Sequence, residues 1–168
     1  MPKKDQGITK DRFTIVPRTL IFVFKDTEVL LIKGAPSKRL WANQYNGVGG
    51  HIERGEDIVT SARRELVEET GLQAELRLCG TVMIDADQST GVGVFLFKGH
   101  YQSGKLTPSS EGDLEWTALS SLPGLPLVED LQALLPRIAA WQPDRALIHA
   151  SYCYNENDRL QITFYEGS

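Results

Sequence analysis

Two segments of the chain alternate apolar and polar positions in the way that β-hairpins do. Residues 18–34 form two β-rich runs around a polar turn at Lys25–Glu28. Residues 146–166 repeat this arrangement around a second polar turn at Asn155–Asp158. Strand-like runs bounded by polar turn residues predict a hairpin at each place.

Two other segments have the apolar spacing of helices. Residues 57–70 are followed by Gly71, a residue type typical of the position after a helix C-terminus. Residues 127–141 share this spacing, although Pro136 lies within them. We expect that proline to end or kink the second helix.

The remaining apolar runs predict strands, and the order of the elements indicates the fold class. These strands are expected at 72–85, 91–101 and 114–119. Strands, helix, strands, helix and strands in that order predict an α/β protein, with helices packed on a mixed sheet. We expect residues 1–17 to form a loose lead-in and residues 18–168 a single domain, with an irregular connection at 35–50.

Composition narrows the class of protein. The net charge of −4 disfavours a general binder of nucleic-acid polymers or membrane surfaces. An anionic substrate would therefore need local positive charge. Two cysteines form no disulfide framework, and no apolar run has the length of a signal peptide core or a membrane span. We expect a soluble, cytoplasmic protein.

Three carboxylates crowd the end of the first helix. Glu65, Glu68 and Glu69 form one acidic arc beside the apolar stripe that contains Ala62 and Leu66. Their mutual repulsion costs about 0.2–0.5 kcal/mol per pair, and the helix dipole opposes each by about 0.3–1 kcal/mol. A divalent cation would offset these costs, and Mg²⁺ prefers carboxylate oxygens. The alternative is an ordinary solvated acidic face.

The segment before this helix is suited to close approach to a ligand. The stretch NGVGG places three glycines within residues 46–50. Glu56 and Asp57 follow at the start of the helix, where acidic residues suit the helix dipole.

Together these residues resemble the Nudix box, G-x5-E-x7-R-E-U-x-E-E-x-G-U, in which U is apolar. The matching positions are Gly50, Glu56, Arg64, Glu65, Leu66, Glu68, Glu69, Gly71 and Leu72, without a departure. The resemblance implies a Nudix α/β/α sandwich, with the mixed β-sheet between helices. It also implies an enzyme that uses Mg²⁺ or Mn²⁺ to hydrolyse nucleoside diphosphates linked to another moiety.

The resemblance assigns roles residue by residue. Glu65, Glu68 and Glu69 correspond to metal ligands, one of which can also serve as the base. Arg64 corresponds to an arginine that orients the catalytic glutamate.

Three more positions follow from the same resemblance. Glu56 corresponds to a glutamate in supporting charge pairs, and the Gly50 carbonyl to a further metal ligand. Glu111 is the candidate for an additional metal ligand from a distant loop. The alternative for Glu111 is an ordinary loop acid.

The substrate is indicated outside the box. The NGVGG stretch and the hairpin at 146–166 resemble the oxidised-purine triphosphatases of this family, in which the position of Asn46 contacts the base. The alternative for Asn46 is a turn residue. The proline that ADP-ribose hydrolases of the family usually carry some way after the box is absent, because no proline lies between Leu72 and Pro108.

Five other residues are candidate substrate contacts, each with a structural alternative. Glu129 and Asp130 can read the base or serve as helix-start acids, although the aromatic neighbour of the human-type enzymes is missing. Trp41 can stack on a base or plug the core. Lys33 and Arg39 can contact phosphates or remain solvated.

We therefore expect hydrolysis of an oxidised purine nucleoside triphosphate, such as 8-oxo-dGTP, to the monophosphate and pyrophosphate. The alternatives are another nucleotide, such as a dinucleoside polyphosphate or a nucleotide sugar, and a non-catalytic nucleotide sensor. The expected partner is a small-molecule nucleotide, with no nucleic-acid polymer and no membrane. The chain is expected to be a monomer or a homodimer.

Overall fold

A computed structural model describes residues 6, 7, 9, 11–37 and 40–165. Its elements are β1 (Thr14–Lys25), β2 (Glu28–Gly34), β3 (Tyr45–Asn46), α1 (Ile58–Thr70), β4 (Leu72–Asp85), β5 (Thr90–Gly104), β6 (Gly112–Ala118), a 3-10 helix (Leu119–Gly124), α2 (Leu131–Ala140), β7 (Ile148–Tyr154) and β8 (Leu160–Tyr165). The strands form one sheet in the order β3-β2-β1-β5-β4-β7-β8, and β6 pairs with β2. The pairs β1–β5 and β4–β7 are parallel, so the sheet is mixed as predicted.

One helix covers each face of the sheet. Successive residues of β1 point to opposite faces, so that Ile21 packs with the α1 residues Ala62 and Leu66. Phe22 packs on the other face with α2 residues such as Leu134. The architecture is the predicted α/β/α sandwich. Within the part of the chain that the structure describes, no helix has the length and apolarity needed to cross a membrane.

Local signals fix α1 within the predicted bounds. The Asp57 side chain accepts hydrogen bonds from the main-chain N–H groups of Val59 and Thr60, at 2.8 and 3.0 Å. Gly71 ends the helix at φ 73°, in the left-handed conformation that favours glycine. The interpretation of Asp57 as a helix-start residue is confirmed.

The second helix begins later than predicted. Residues 127–130 precede α2, and Leu127 pairs with Tyr45 of β3 instead. Pro136 lies on the exposed side of α2 and does not end it. Burial of Leu134, Ile138 and their neighbours holds the helix on the sheet beyond the proline.

The N-terminal strand begins earlier than predicted. Thr14 already pairs with Thr90 in the parallel β1–β5 ladder, so residues 14–17 are not part of a loose lead-in. The division of the chain into a lead-in and one domain otherwise stays a prediction.

The two strands of the first hairpin diverge, and this divergence positions the glycine-rich segment. β1 and β2 pair near their turn, at Phe24–Val29 and Lys25–Glu28. Farther along, residues 45–52 lie beside them. Asn46 pairs with Ile32 of β2, and Val48 with Ile21 of β1.

Candidate active site

Gly50 brings the glycine-rich segment against the acidic face of α1. A Cβ atom at this position would lie 2.5 Å from the Glu65 carboxyl carbon. Any side chain there would displace the carboxylate or the segment. The glycine is therefore required by close approach to Glu65, whereas the expected close approach of this segment to a ligand stays a prediction.

Arg64 connects four acidic or carbonyl groups at the site. Its Nε and Nη2 atoms donate to the two carboxylate oxygens of Glu56, at 2.7 and 2.9 Å. Nη1 donates to Glu65 Oε1 at 2.8 Å and to Glu68 Oε2 at 3.1 Å. Nη2 also donates to the His51 carbonyl oxygen at 3.2 Å. We call Arg64, Glu56, Glu65 and Glu68 the Arg64 cluster.

The contacts within the cluster shift the pKa values of Glu56 and Arg64. Hydrogen bonds from Arg64 lower the pKa of Glu56 from 4.5 to about 2. The carboxylates of Glu56, Glu65 and Glu68 raise the pKa of Arg64 in turn. Arg64 therefore joins Glu56 directly to Glu65 and Glu68, and the roles that the resemblance assigns to Glu56 and Arg64 stay predictions.

The three glutamates differ in their surroundings. The Glu65 side chain is 13% exposed, and the Glu68 side chain is 61% exposed. Glu69 is half-buried, and its Oε2 accepts a hydrogen bond from the Gly49 N–H at 3.3 Å. Glu68 is therefore the most exposed of the three. The three carboxylates lie on one face of α1, between the glycine-rich segment and solvent.

The donor set suits a hard divalent cation. Among the described residues, no group of three or more acidic, histidine or cysteine side chains lies close enough together to hold a metal ion, so Glu65, Glu68 and Glu69 do not form a ready-made cage. Mg²⁺ does not need such a cage, because it keeps several waters and binds one or two carboxylates. The Gly50 carbonyl oxygen accepts from the Thr19 N–H at 2.9 Å and has a second lone pair. Carboxylate oxygens beside a main-chain carbonyl thus fit Mg²⁺ or Mn²⁺ chemically.

The candidate base contacts are brought together by main-chain pairing. Tyr45 N–H donates to the Pro126 carbonyl at 2.9 Å, and Val128 N–H donates to the Tyr45 carbonyl at 3.0 Å. These bonds place Asn46, which follows Tyr45, beside the chain that leads into Glu129 and Asp130.

The side chains of these candidates have different environments. Asn46 lies in β3, and its Oδ1 accepts from the Gly47 N–H at 2.8 Å. Glu129 is exposed, whereas Asp130 is half-buried and its side chain makes no capping hydrogen bond to α2. Burial raises the pKa of Asp130, and the nearby Tyr152 hydroxyl partly opposes this shift.

The remaining candidates are less closely associated with the Arg64 cluster. Lys33 Nζ lies 5.7 Å from the centre of the Tyr45 ring. Trp41 is 44% exposed at φ 59°, so its interpretation as a core plug was wrong. Glu111 directly precedes β6, beside the end of β2, and its carbonyl accepts from the Ala35 N–H at 3.2 Å. Arg39 lies outside the described residues.

Sequence reasoning missed one pair of residues beside the cluster. Arg18 Nε donates to His51 Nε2 at 3.1 Å, and His51 follows Gly50 directly. A cation in β1 has no local signal that links it to a segment thirty residues away, because only strand pairing brings the two together.

Comparison with known proteins identifies relatives of the chain. The NUDIX domain model matches residues 14–141. The oxidized purine nucleoside triphosphate hydrolase of Mus musculus is 33% identical over 107 residues, 62% of this chain and 67% of that protein. The protein of the same name from Danio rerio is 32% identical over 113 residues, 66% of this chain and 71% of that one. The NAD-capped RNA hydrolase NudC of Pseudomonas aeruginosa is also 32% identical over 113 residues, 66% of this chain but only 38% of its own length.

Solved structures support the fold. The MutT protein from Bacillus halodurans superposes with a TM-score of 0.75 at 22% identity, covering 89% of this chain and 97% of that one. The NUDIX domain of Shewanella oneidensis NrtR, solved with ADP ribose, has a TM-score of 0.61 at 20% identity, with 83% and 97% coverage. At these identities the likeness concerns the fold alone.

Proposed function

The chain belongs to the Nudix family of hydrolases, and on that premise we propose that it hydrolyses an oxidised purine nucleoside triphosphate to the monophosphate and pyrophosphate. The observation that carries this proposal is the Arg64 cluster, held against Gly50 of the NGVGG segment. That arrangement concentrates carboxylates where a divalent cation can neutralise both them and a pyrophosphate.

A divalent cation is part of the proposal. Glu65, Glu68, Glu69 and the Gly50 carbonyl would hold Mg²⁺ or Mn²⁺, and Glu111 is the candidate for an added ligand. When bound, the cation supplies charge neutralisation for the phosphates and a lower pKa for bound water.

The protein's own groups position and activate the remaining participants. Arg64 engages a single oxygen each of Glu65 and Glu68, which leaves the second oxygen of each carboxylate for a ligand or a proton. One of the glutamates accepts the proton of the attacking water. The water oxygen then bonds to phosphorus as the bond to the bridging oxygen between the α- and β-phosphates breaks, and pyrophosphate leaves. Most of the rate gain comes from positioning and charge neutralisation.

Recognition of the base is proposed for β3 and for the segment that pairs with it. Asn46 and the acids Glu129 and Asp130 lie on neighbouring stretches of chain, and amide and carboxyl groups can read the edge of a purine. The exposed Trp41 ring can stack on the base, and Lys33 and Arg39 stay proposed phosphate contacts. The names of the mouse and zebrafish relatives support an oxidised purine.

The proposal extends to partners and location. The partner is a small nucleotide, not a nucleic-acid polymer or a membrane, and the chain acts as a monomer or homodimer in the cytoplasm. The similarity to NudC supports one alternative, a nucleotide joined to a second nucleotide.

A substrate panel tests the proposal. Purified protein with Mg²⁺ is assayed against 8-oxo-dGTP, dGTP, ADP-ribose, a dinucleoside polyphosphate, a nucleotide sugar and an NAD-capped oligonucleotide. We expect the largest kcat/KM for 8-oxo-dGTP, at least about tenfold above that for dGTP. A rate for 8-oxo-dGTP no better than for dGTP would remove the oxidised-purine assignment. Nucleotide binding without turnover would favour the sensor.

A further inference from the structure

Arg18 occupies a fixed position beside the glycine-rich segment. Residues 17–21 of β1 are hydrogen-bonded to residues 48–52 through four main-chain bonds. These are Ile52 N–H to Pro17 O at 3.1 Å, Thr19 N–H to Gly50 O at 2.9 Å, and reciprocal bonds between Ile21 and Val48 at 2.7 and 3.1 Å. This ladder fixes the register, so Arg18 pairs with His51 and lies next to Gly50 along the ladder.

The side chain of Arg18 is held at its inner nitrogen and open at its outer ones. Nε donates to His51 Nε2 at 3.1 Å, which orients the guanidinium. Among the described residues, no hydrogen bond or ion pair engages Nη1 or Nη2 of Arg18. Arg18 is only half-exposed, so neighbouring residues restrict the movement of its guanidinium and of these donors.

The charged groups near Arg18 indicate which kind of ligand its outer donors can bind. His51 also links Arg18 to the Arg64 cluster, because its carbonyl accepts from Arg64 Nη2 at 3.2 Å. Arg64 is already engaged by three carboxylates, so its charge is not available to a substrate anion. Arg18 is a cation next to Gly50 along the strand pairing, and its outer donors have no partner among the described residues. A guanidinium with two outer nitrogens matches two oxygens of a phosphate group.

We propose that Arg18 binds the phosphate chain of the substrate, with His51 as the positioning residue that orients its guanidinium. This inference rests on the proposed function for the identity of the ligand as a polyphosphate. It names a cation that the sequence did not connect with the site. The negatively charged chain, with its net charge of −4, then meets an anionic substrate through an arginine as well as through the bound cation.

Inorganic tripolyphosphate tests Arg18 without dependence on any base or on turnover. Its affinity is measured by isothermal titration calorimetry with excess Mg²⁺, for the wild type, Arg18→Met and Arg145→Met. Arg145 is exposed in the loop after α2, so its variant carries the same change in charge away from the site. We expect Arg18→Met to weaken binding at least about tenfold and Arg145→Met to leave it unchanged. Thermal unfolding verifies that both variants are folded.

His51 is tested with a conservative pair of variants. His51→Gln keeps a side-chain acceptor for Arg18, whereas His51→Phe removes it. We expect the glutamine variant to retain most of the tripolyphosphate affinity and the phenylalanine variant to lose several-fold. For Arg18→Met and His51→Phe, KM for a nucleotide substrate is expected to rise more than kcat falls, which a loss of stability alone would not produce.

The outcomes separate the two proposals. Equal affinity of wild type and Arg18→Met, or no binding of tripolyphosphate to the wild type, would overturn the assignment of Arg18 while hydrolysis of nucleotides still supported the enzyme. Binding that depends on Arg18, in a protein that turns over no nucleotide, would support the phosphate site and overturn the proposed function.

Discussion

At the scale of residues, one arginine organises the candidate active site. Arg64 holds Glu56 through both carboxylate oxygens and holds Glu65 and Glu68 through one oxygen each. Glu56 therefore supports Arg64 from one side, and the other two glutamates keep oxygens for a ligand. The resemblance to the Nudix box implied roles for these residues because all four lie within one short motif, with Arg64, Glu65 and Glu68 on α1 and Glu56 just before it. Those roles stay predictions.

Neutralising Glu68 tests the functional role of the acidic arc. Glu68→Gln should lower turnover by at least about a hundredfold, because an amide oxygen binds a cation weakly and accepts no proton. Stability should change little, since the side chain is 61% exposed and makes a surface ion pair. Steady-state kinetics with saturating Mg²⁺ and a thermal unfolding curve provide the measurement.

Glu75→Gln is the matched control for this variant. Glu75 is also exposed and paired with an arginine, Arg77, at 2.7 Å, but lies on β4. Its substitution should leave turnover unchanged. Near-normal turnover of the Glu68 variant would exclude Glu68 from the metal site.

The Glu56–Arg64 pair gives a pH-dependent contribution to stability. The pKa of Glu56 is lowered from 4.5 to about 2 in the folded protein, so folding favours the ionised form. This contribution is fully present above about pH 4.5 and is lost as the pH falls toward 2. The free energy of unfolding is measured with urea between pH 2 and 7. At the acidic end it should fall less steeply with decreasing pH for Glu56→Gln than for the wild type. The same acid slope in both proteins would show that this ion pair does not contribute.

Gly50 is expected to tolerate no side chain. Gly50→Ala would place a Cβ 2.5 Å from the Glu65 carboxyl carbon. Relief of that clash should destabilise the fold by about 1–3 kcal/mol and displace Glu65, with at least a tenfold loss of turnover. Gly124→Ala is the control, because no atom lies within 4 Å of its added Cβ. Equal activity and equal denaturation midpoints for the two variants would contradict this description of the site.

At the scale of elements, local signals predicted α1 better than α2. Asp57 and Gly71 lie at the two ends of α1, and both make their capping contacts within a few residues in sequence. The start of α2 depends on Tyr45, which draws Leu127 and Val128 into pairing with β3 and so delays the helix. Apolar spacing does not distinguish these residues from helical ones, because the competing contact comes from eighty residues away.

The cap of α1 can be tested directly. Asp57→Ala removes the acceptor for Val59 and Thr60 and should reduce the free energy of unfolding by about 1 kcal/mol. Asp57→Asn keeps an oxygen acceptor and should retain most of this stability. Chemical denaturation at neutral pH compares the three proteins. An alanine variant as stable as the asparagine variant would show that the cap contributes nothing to folding.

At the scale of the whole molecule, the site depends on how far β1 and β2 diverge. The segment 45–52 lies beside the diverging strands, and residues 126–128 pair with β3 there. The motif predicted the acidic face of α1, but no sequence pattern indicated that Arg18 and His51 would meet near it. The resemblance of the chain to the Nudix family predicted the whole sandwich. The order of strands and helices that supports this resemblance extends along the chain and not only through the short motif.

The central claim is that the carboxylates of α1 hold a divalent cation against the pyrophosphate of a nucleotide. The most direct measurement is electron paramagnetic resonance of Mn²⁺, titrated into wild type and Glu68→Gln with and without α,β-methylene-dGTP. We predict bound Mn²⁺ in the wild type, tighter binding with the nucleotide analogue, and at least about tenfold weaker binding in the variant. Equal Mn²⁺ affinity in the two proteins, unaffected by the analogue, would contradict the claim.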